Sequence, residues 1–164
     1  MNYTGIKYFS TVNGEGITNS IFVAGCDIHC KGCFNQKAWS HDSGKELTEE
    51  IIDEFLSKAE PSYIDGISIL GGEPLSFKNC EGVKHIIEKC REKFGNDKKI
   101  WLWTGYYISD LKEIQQDVIQ GCDYVVDGPF KDELFDINLK FRGSSNQTIW
   151  ENKENKWIKS ELNG

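Results

Sequence analysis

The chain has 164 residues, 38% of them hydrophobic, with nine Phe, six Tyr and five Trp, enough apolar mass for a single packed domain spanning 1–164 and the opposite of a disordered composition. Twenty-six acidic against 19 basic side chains leave a net charge of -7, which opposes non-specific nucleic-acid binding and anionic membrane surfaces. The start, Met1-Asn-Tyr-Thr-Gly-Ile-Lys7, has no signal-peptide pattern and no apolar run reaches the ~20 residues of a membrane helix, so the expected location is cytoplasmic, where six cysteines act as ligands and thiols rather than a disulfide scaffold.

Residues 5 to 25 predict a short extended lead, a turn at Asn13-Gly-Glu-Gly16, where Asn and Gly tolerate positive φ, and a first core strand around Ser20 to Ala24. Directly after it comes Cys26-Asp-Ile-His-Cys30-Lys-Gly-Cys33, three thiols separated by three and then two residues. Thiolates are soft ligands for iron-sulfur clusters or zinc. A compact loop bearing three of them can cap three corners of a cubane cluster and leave the fourth iron open for chemistry, whereas a structural zinc site is closed by a fourth ligand, here His29 or His41. The octet alone leaves both readings standing. Cys80, Cys90 and Cys122 fall in helical or strand-leading segments and read as small buried hydrophobes.

Trp39 to Gly44 is irregular, and a helix is expected from Thr48, whose hydroxyl can cap free amides, with Ile51, Ile52, Phe55, Leu56 and Ala59 on one face and Pro61 as its end. Ile64 to Leu70 is an apolar strand running into Gly71-Gly-Glu-Pro74, which local mechanics alone reads as a strand-to-helix turn. A second helix spans Cys80 to Phe94, stopped by Gly95 and Asn96. Lys99 to Trp103 is the third strand, and because strand C-terminal ends line pockets in α/β architectures, Thr104 and Gly105 after it are candidate site residues. A short helix, Ser109 to Ile119, precedes a fourth strand, Asp123 to Asp127, and the tail offers polar turns followed by a hairpin at Thr148–Trp150 and Lys156–Ile158. The alternation predicts an α/β fold with right-handed crossovers. Since a closed eight-stranded barrel needs about 200 to 250 residues, the expectation is a partial, open (β/α) barrel with mostly parallel strands and a C-terminal β-hairpin.

The cysteine spacing is similar to that of the radical S-adenosylmethionine (SAM) superfamily, and Gly71-Gly-Glu73 begins 38 residues after Cys33, at the strand end where that superfamily carries its Gly-Gly-Glu motif. Many members have an aromatic residue just before the third cysteine; here Gly32 stands there and Phe34 follows. Cys26-x3-Cys30-x-Gly32-Cys33-Phe34-Asn35, with Trp103-Thr-Gly-Tyr106, Asp127-Gly-Pro-Phe130 and Phe141-Arg-Gly-Ser-Ser-Asn-Gln147 in that order, resembles the activating proteins of anaerobic ribonucleotide reductase along nearly the whole chain. Glycyl-radical activating enzymes typically have a Gly-Pro-Gly-[Ile/Thr]-Arg turn, from which this chain departs with Glu15 for the proline and Thr18 for the arginine.

The resemblance implies a radical SAM barrel in which Cys26, Cys30 and Cys33 hold a 4Fe-4S cluster, Gly71, Gly72 and Glu73 bind the SAM amine, and Thr104 and Gly105 lie near its ribose or methionine part. Two glycines would let backbone carbonyls approach the ligand. Arg142, a fixed cation in the motif-bearing tail, is read as answering a carboxylate or as a surface salt bridge. The implied activity is reductive cleavage of SAM and hydrogen-atom abstraction from a glycine on the catalytic subunit of the reductase, with flavodoxin as the expected kind of reductant and no side-chain base. Asn13 to Gly16 and Phe141 to Gln147 are turn-rich candidates for the mouth where that partner docks. Two other readings are a short radical SAM synthase acting on a small molecule, like the 7-carboxy-7-deazaguanine synthase with its Gly-Glu-Gly turn, and a non-enzymatic zinc-binding module.

Overall fold

The computed structural model describes residues 1–164. Its strands are β1 (Asn2–Ser10), β2 (Thr18–Val23), β3 (Lys45–Glu46), β4 (Gly66–Gly71), β5 (Lys99–Trp103), β6 (Tyr124–Asp127), β7 (Thr148–Lys153) and β8 (Lys156–Lys159), and its helices are α1 (Glu49–Ser57), α2 (Phe77–Phe94) and α3 (Glu113–Ile119). All eight strands form one open sheet in the order β3-β1-β2-β4-β5-β6-β7-β8. The pairings β2·β4, β4·β5 and β5·β6 are parallel. The pairings β1·β2, β1·β3, β6·β7 and β7·β8 are antiparallel.

The expectation of mostly parallel strands is therefore corrected: a parallel centre is flanked on both sides by antiparallel strands. Connection length and content explain the split. Parallel neighbours need a crossover of a dozen or more residues, and only the segments carrying α1, α2 and α3 supply a helix for it. The turns before β2 and before β8 are too short for that. The second of these is a two-residue hairpin in which Glu154 (φ 53°) and Asn155 (φ 67°) are both left-handed, the backbone twist that suits flanking strands. The short lead expected at the N-terminus is a nine-residue edge-side strand, paired from Tyr3↔Val23 to Ser10↔Thr18.

Helix boundaries follow local chemistry. Thr48 Oγ1 accepts from the Ile51 amide at 3.3 Å, Glu49 and Glu50 sit in the first turn, and Ile52, Phe55 and Leu56 are buried. α1 stops at Ser57, ahead of Pro61. α2 starts earlier than the apolar pattern suggests, because the Ser76 carbonyl already accepts from Asn79 and Cys80 at 2.8 and 3.1 Å; it ends at Gly95, φ 58°. The third expected helix is split into a 3-10 turn, Ile108–Asp110, and α3, since Leu111 is extended and the Lys112 amide is taken by Gln115 Oε1 at 2.9 Å.

Strand alternation sends Ile21, Val23, Ile67, Ile69, Ile100, Leu102 and Val125 to the helix side, where they pack with Phe55, Val83, Ile86, Ile87 and Val118. Cys80, Cys90 and Cys122 belong to this core, each no more than 1% exposed. Burial pushes the thiols of Cys80 and Cys90 up to about 11, so they are inert. The other face carries Trp101, stacked on Tyr124 at 4.2 Å and on Trp103 at 5.6 Å. No helix is long and apolar enough to cross a membrane.

Where β2 and β4 end, their backbones lie too close for any side chain between them. A Cβ on Gly72 would stand 2.6 Å from the Gly25 carbonyl oxygen and 2.7 Å from that of Val23. Gly72→Ala is therefore expected to cost about 1–3 kcal/mol, as overpacking against rigid backbone does. Gly82→Ala, inside α2 and with its new methyl against the flexible Met1 side chain at 3.0 Å, keeps stability or raises it by up to about 1 kcal/mol, as alanine does in place of a helical glycine. Urea midpoints of the two variants check this; equal midpoints would show that the close approach carries no constraint.

Candidate active site

Loops at the C-terminal ends of the four parallel strands enclose a cavity of about 230 Å³. Its wall includes Cys26, Cys30 and Cys33 after β2, Gly71, Gly72 and Glu73 at the end of β4, Thr104 and Gly105 after β5, Gly128 and Phe130 after β6, and Gly143 and Gln147 from the tail. This is the end of a parallel sheet at which ligands bind, because helix starts and loops converge there. Every residue expected to hold the cluster or SAM lies on this wall except Arg142.

The cysteine loop is held by its own backbone. Gly25 (φ 99°) donates to the Ala38 carbonyl at 2.7 Å and Cys26 to that of Trp39 at 2.9 Å. Gly32 is left-handed (φ 76°), and a Cβ there would come within 3.1 Å of the Asp132 carboxylate. An aromatic side chain before the third cysteine does not fit this loop. The ring of His29 stacks on Trp39 at 4.4 Å, while His41 Nε2 stands 3.6 Å from Asp27 Oδ1 and 3.5 Å from Ser76 Oγ.

Neither histidine completes a zinc site, then, and no three His, Cys, Asp or Glu side chains converge on one ion-sized point. Three thiols sharing a cavity wall without a fourth protein ligand fit a cubane cluster, which takes each thiolate on a different iron, better than one zinc ion whose ligands all stand about 2.3 Å away. Burial pushes the Cys26 and Cys30 thiols above their ordinary value, so cluster binding must displace their protons. The Asn35 amide donates to Cys33 Sγ at 3.4 Å, the kind of contact that tunes a cluster's potential.

Glu73 is 1% exposed. Its Oε2 accepts from the Leu75 amide and the Thr104 hydroxyl, both at 2.8 Å, and its Oε1 from the Gly105 amide at 2.6 Å. Burial outweighs these three neutral donors and pushes the carboxyl up to about 7. The two glycines before it have a role other than the one expected. Their missing Cβ atoms make room for the backbone of Val23 and Gly25 rather than for a ligand.

Four polar side chains, of which the sequence reading singled out only Asn35, tie the cysteine loop to the Gly-Gly-Glu turn. Asn35 Nδ2 donates to the Gly71 carbonyl at 3.1 Å, and Asn79 Nδ2 donates to Ala24 and Glu73 carbonyls at 2.9 and 3.0 Å. Ser76 Oγ donates to Asp27 Oδ2 at 2.7 Å, which, with His41, holds the Asp27 carboxyl below its usual range. The signal for Asn79 was available: an amide on the apolar face of a helix needs buried partners.

Arg142 is a correction. Its guanidinium donates to the backbone carbonyls of Gln147 at 3.1 Å and Asn163 at 3.0 Å, on the far side of the tail from the cavity, because a planar five-donor group satisfies several orphan carbonyls at once. It shapes the 141–147 loop. Within that loop Gln147 accepts from Gly143 and Ser144 amides and donates to the Gly128 carbonyl at 3.0 Å, which puts Gly143 and Gln147 on the cavity wall. The Asn13–Gly16 turn is a second correction. It precedes β2 and so lies at the opposite end of the strands, with Gly14 against Trp101 and Gly16 against Asp65, away from the mouth.

A family model described as a 4Fe-4S single cluster domain matches residues 12–150. Among similar proteins, the anaerobic ribonucleoside-triphosphate reductase-activating protein of Vibrio cholerae is 38% identical over 151 residues, 91% of this chain and 97% of that protein. The proteins of the same name from Enterobacteria phage T4 and Escherichia coli are each 35% identical, covering 96% and 91% of this chain and 98% and 97% of their own. With such identity sustained along both chains, and with three thiols placed on one cavity wall, this chain belongs to the family of anaerobic ribonucleoside-triphosphate reductase-activating proteins.

Proposed function

We propose that the protein is a radical SAM activase, built on a partial radical SAM barrel, that cleaves SAM reductively and takes a hydrogen atom from a glycine of the catalytic subunit of anaerobic ribonucleotide reductase, leaving a glycyl radical. One observation carries this reading: the Cys-x3-Cys-x2-Cys thiols and a buried carboxylate without a cationic partner face one cavity, in a chain whose relatives are named for activating that reductase. When bound, the 4Fe-4S cluster supplies the electron that splits SAM into methionine and a 5′-deoxyadenosyl radical, the species that abstracts the hydrogen atom.

The chain's own residues do the rest. Cys26, Cys30 and Cys33 supply three thiolates and leave one metal position to the ligand. Glu73 answers the cationic amine, which relieves the cost of burying a carboxylate among neutral donors only. Ile28, Leu70, Trp103 and Phe130 keep water from the reacting centre, and Phe34, 76% exposed at the rim, leaves an opening for a protein substrate. The setting that goes with this chemistry is cytoplasmic, with a reductant such as flavodoxin and neither nucleic acid nor membrane as ligand. Glu15, the feature that favoured a deazaguanine-type synthase, sits with Gly16 and Asp65 at the far end of the strands, so it does not touch the site.

Cys26→Ala, Cys30→Ala and Cys33→Ala are each expected to lose most cluster iron, the absorption at about 400 nm and all SAM cleavage, while Ala at Cys80, Cys90 or Cys122 preserves all three. Adding the reductase to reduced protein and SAM should give a glycyl-radical doublet in electron paramagnetic resonance, absent when the reductase's radical-site glycine is alanine. Turnover of a deazaguanine precursor without that doublet would sink the reading.

Glu73 also sets a pH dependence. Its carboxyl is raised from 4.5 to about 7 in the fold, so the cofactor-free chain has this group's full contribution below pH 4.5 and loses it as the pH climbs towards 7. The loss is on the order of 3 kcal/mol at neutral pH. Glu73→Gln should therefore gain stability relative to the parent between pH 5 and 7.5 in urea titrations, and parallel profiles would contradict the burial argument.

A further inference from the structure

We propose that Thr104 is a positioning residue that acts through Glu73, fixing the direction in which the carboxylate meets the amine of SAM, rather than a residue that touches SAM. This rests on the reading of Glu73 given above. Thr104 is 4% exposed and both its donors are engaged: its amide donates to the Val126 carbonyl at 2.9 Å and its single hydroxyl proton goes to Glu73 Oε2 at 2.8 Å, while its oxygen accepts from the Tyr106 amide at 3.2 Å. A hydroxyl has one proton to give, so none is left for a ligand. The bond between Thr104 and Val126 anchors this hydroxyl to β6, and the next amide, that of Gly105, pins the other carboxylate oxygen at 2.6 Å. Glu73 is thus oriented by the loop after β5, the strand paired with the one that leads into its own turn.

Gly105, the residue after Thr104, also lies against the cysteine loop. A Cβ on Gly105 would run into Ile28 of the cysteine loop and sit 3.4 Å from Glu73 Oε1. The residues that hold the carboxylate and the loop that holds the thiols are therefore in direct contact. The other ionisable groups that feel the charge of Glu73 are Asp27, Cys26, Cys30, Cys80 and Tyr106. Asp27 is held low by Ser76 and His41, and burial shifts the Tyr106 phenol upward.

The test is equilibrium binding of SAM to anaerobically reconstituted protein, with iron content measured alongside. Thr104→Val removes the hydroxyl at nearly constant volume; it should keep its iron, bind SAM about tenfold more weakly, and shift the acid limb of the binding profile to higher pH, because the ionised carboxylate has lost a donor. Thr104→Ser should restore both affinity and limb. If the valine variant does not fold, Thr104→Ala takes its place. In a Glu73→Gln background Thr104→Val should add almost nothing, since it acts through the missing charge. Parental affinity and limb in Thr104→Val, or a full tenfold loss added on top of Glu73→Gln, would overturn the positioning role. Parental SAM binding by Glu73→Gln alone would instead overturn the role given to Glu73 itself.

Discussion

The contact on which the site depends is the abutment of two backbones at the ends of β2 and β4. The Glu73 amide donates to the Gly25 carbonyl at 2.6 Å, and the absence of side chains at Gly71 and Gly72 is what permits that approach, while the missing Cβ of Gly25 makes room for the His41 ring. From this one junction the chain diverges into the cysteine loop on one side and the carboxylate turn on the other. Their relative position is set by main chain, the least adjustable part of a protein. Asn35, Ser76 and Asn79 then close the same junction with side-chain bonds, each reaching from one segment to the other.

This makes the polar interior of the site easier to understand. Buried amides and hydroxyls are costly unless fully partnered, and here they are spent on holding loops rather than on filling the cavity. The carboxylate on the cavity wall that is left under-compensated is Glu73, with three neutral donors and no cation. A site that satisfies its scaffold and leaves a single carboxylate short of charge has a stated preference for what should enter it. The apolar surround strengthens that preference, since charge interactions grow as water is excluded.

Much of this was legible in the residues. Period-two and helical spacing located the parallel strands and α1 and α2, the thiol spacing with the Gly-Gly-Glu turn located six of the nine site candidates, and the end of the third strand located two more, because each of those signals is local and each sits at a strand end. What was not legible depends on three-dimensional placement. The glycines at 71 and 72 looked like room for a ligand when they are room for a neighbouring strand. Arg142 looked like a free cation because its partners, carbonyls at Gln147 and Asn163, carry no sequence signature. The Asn13–Gly16 turn was placed at the mouth on chemistry alone, although the direction of β2 puts it at the opposite end of the sheet. Of the flanking antiparallel strands the β7–β8 hairpin was read from its polar turn, whereas the direction of β1 beside β2 and of β7 beside β6 was not, because a strand's own sequence does not say which way its neighbour runs.

The order of strands in the sheet also bears on how such a site comes into being. From β4 to β8 every strand lies beside its predecessor in the chain, so the sheet can grow by accretion, each addition pairing with the strand laid down just before it. The three thiols and the backbone junction beneath them belong to the first half of the chain, whereas Thr104, Gly128 and Gln147 arrive with the second. During synthesis from the N-terminus, the ligands for iron therefore exist before the wall that will confine what the iron does.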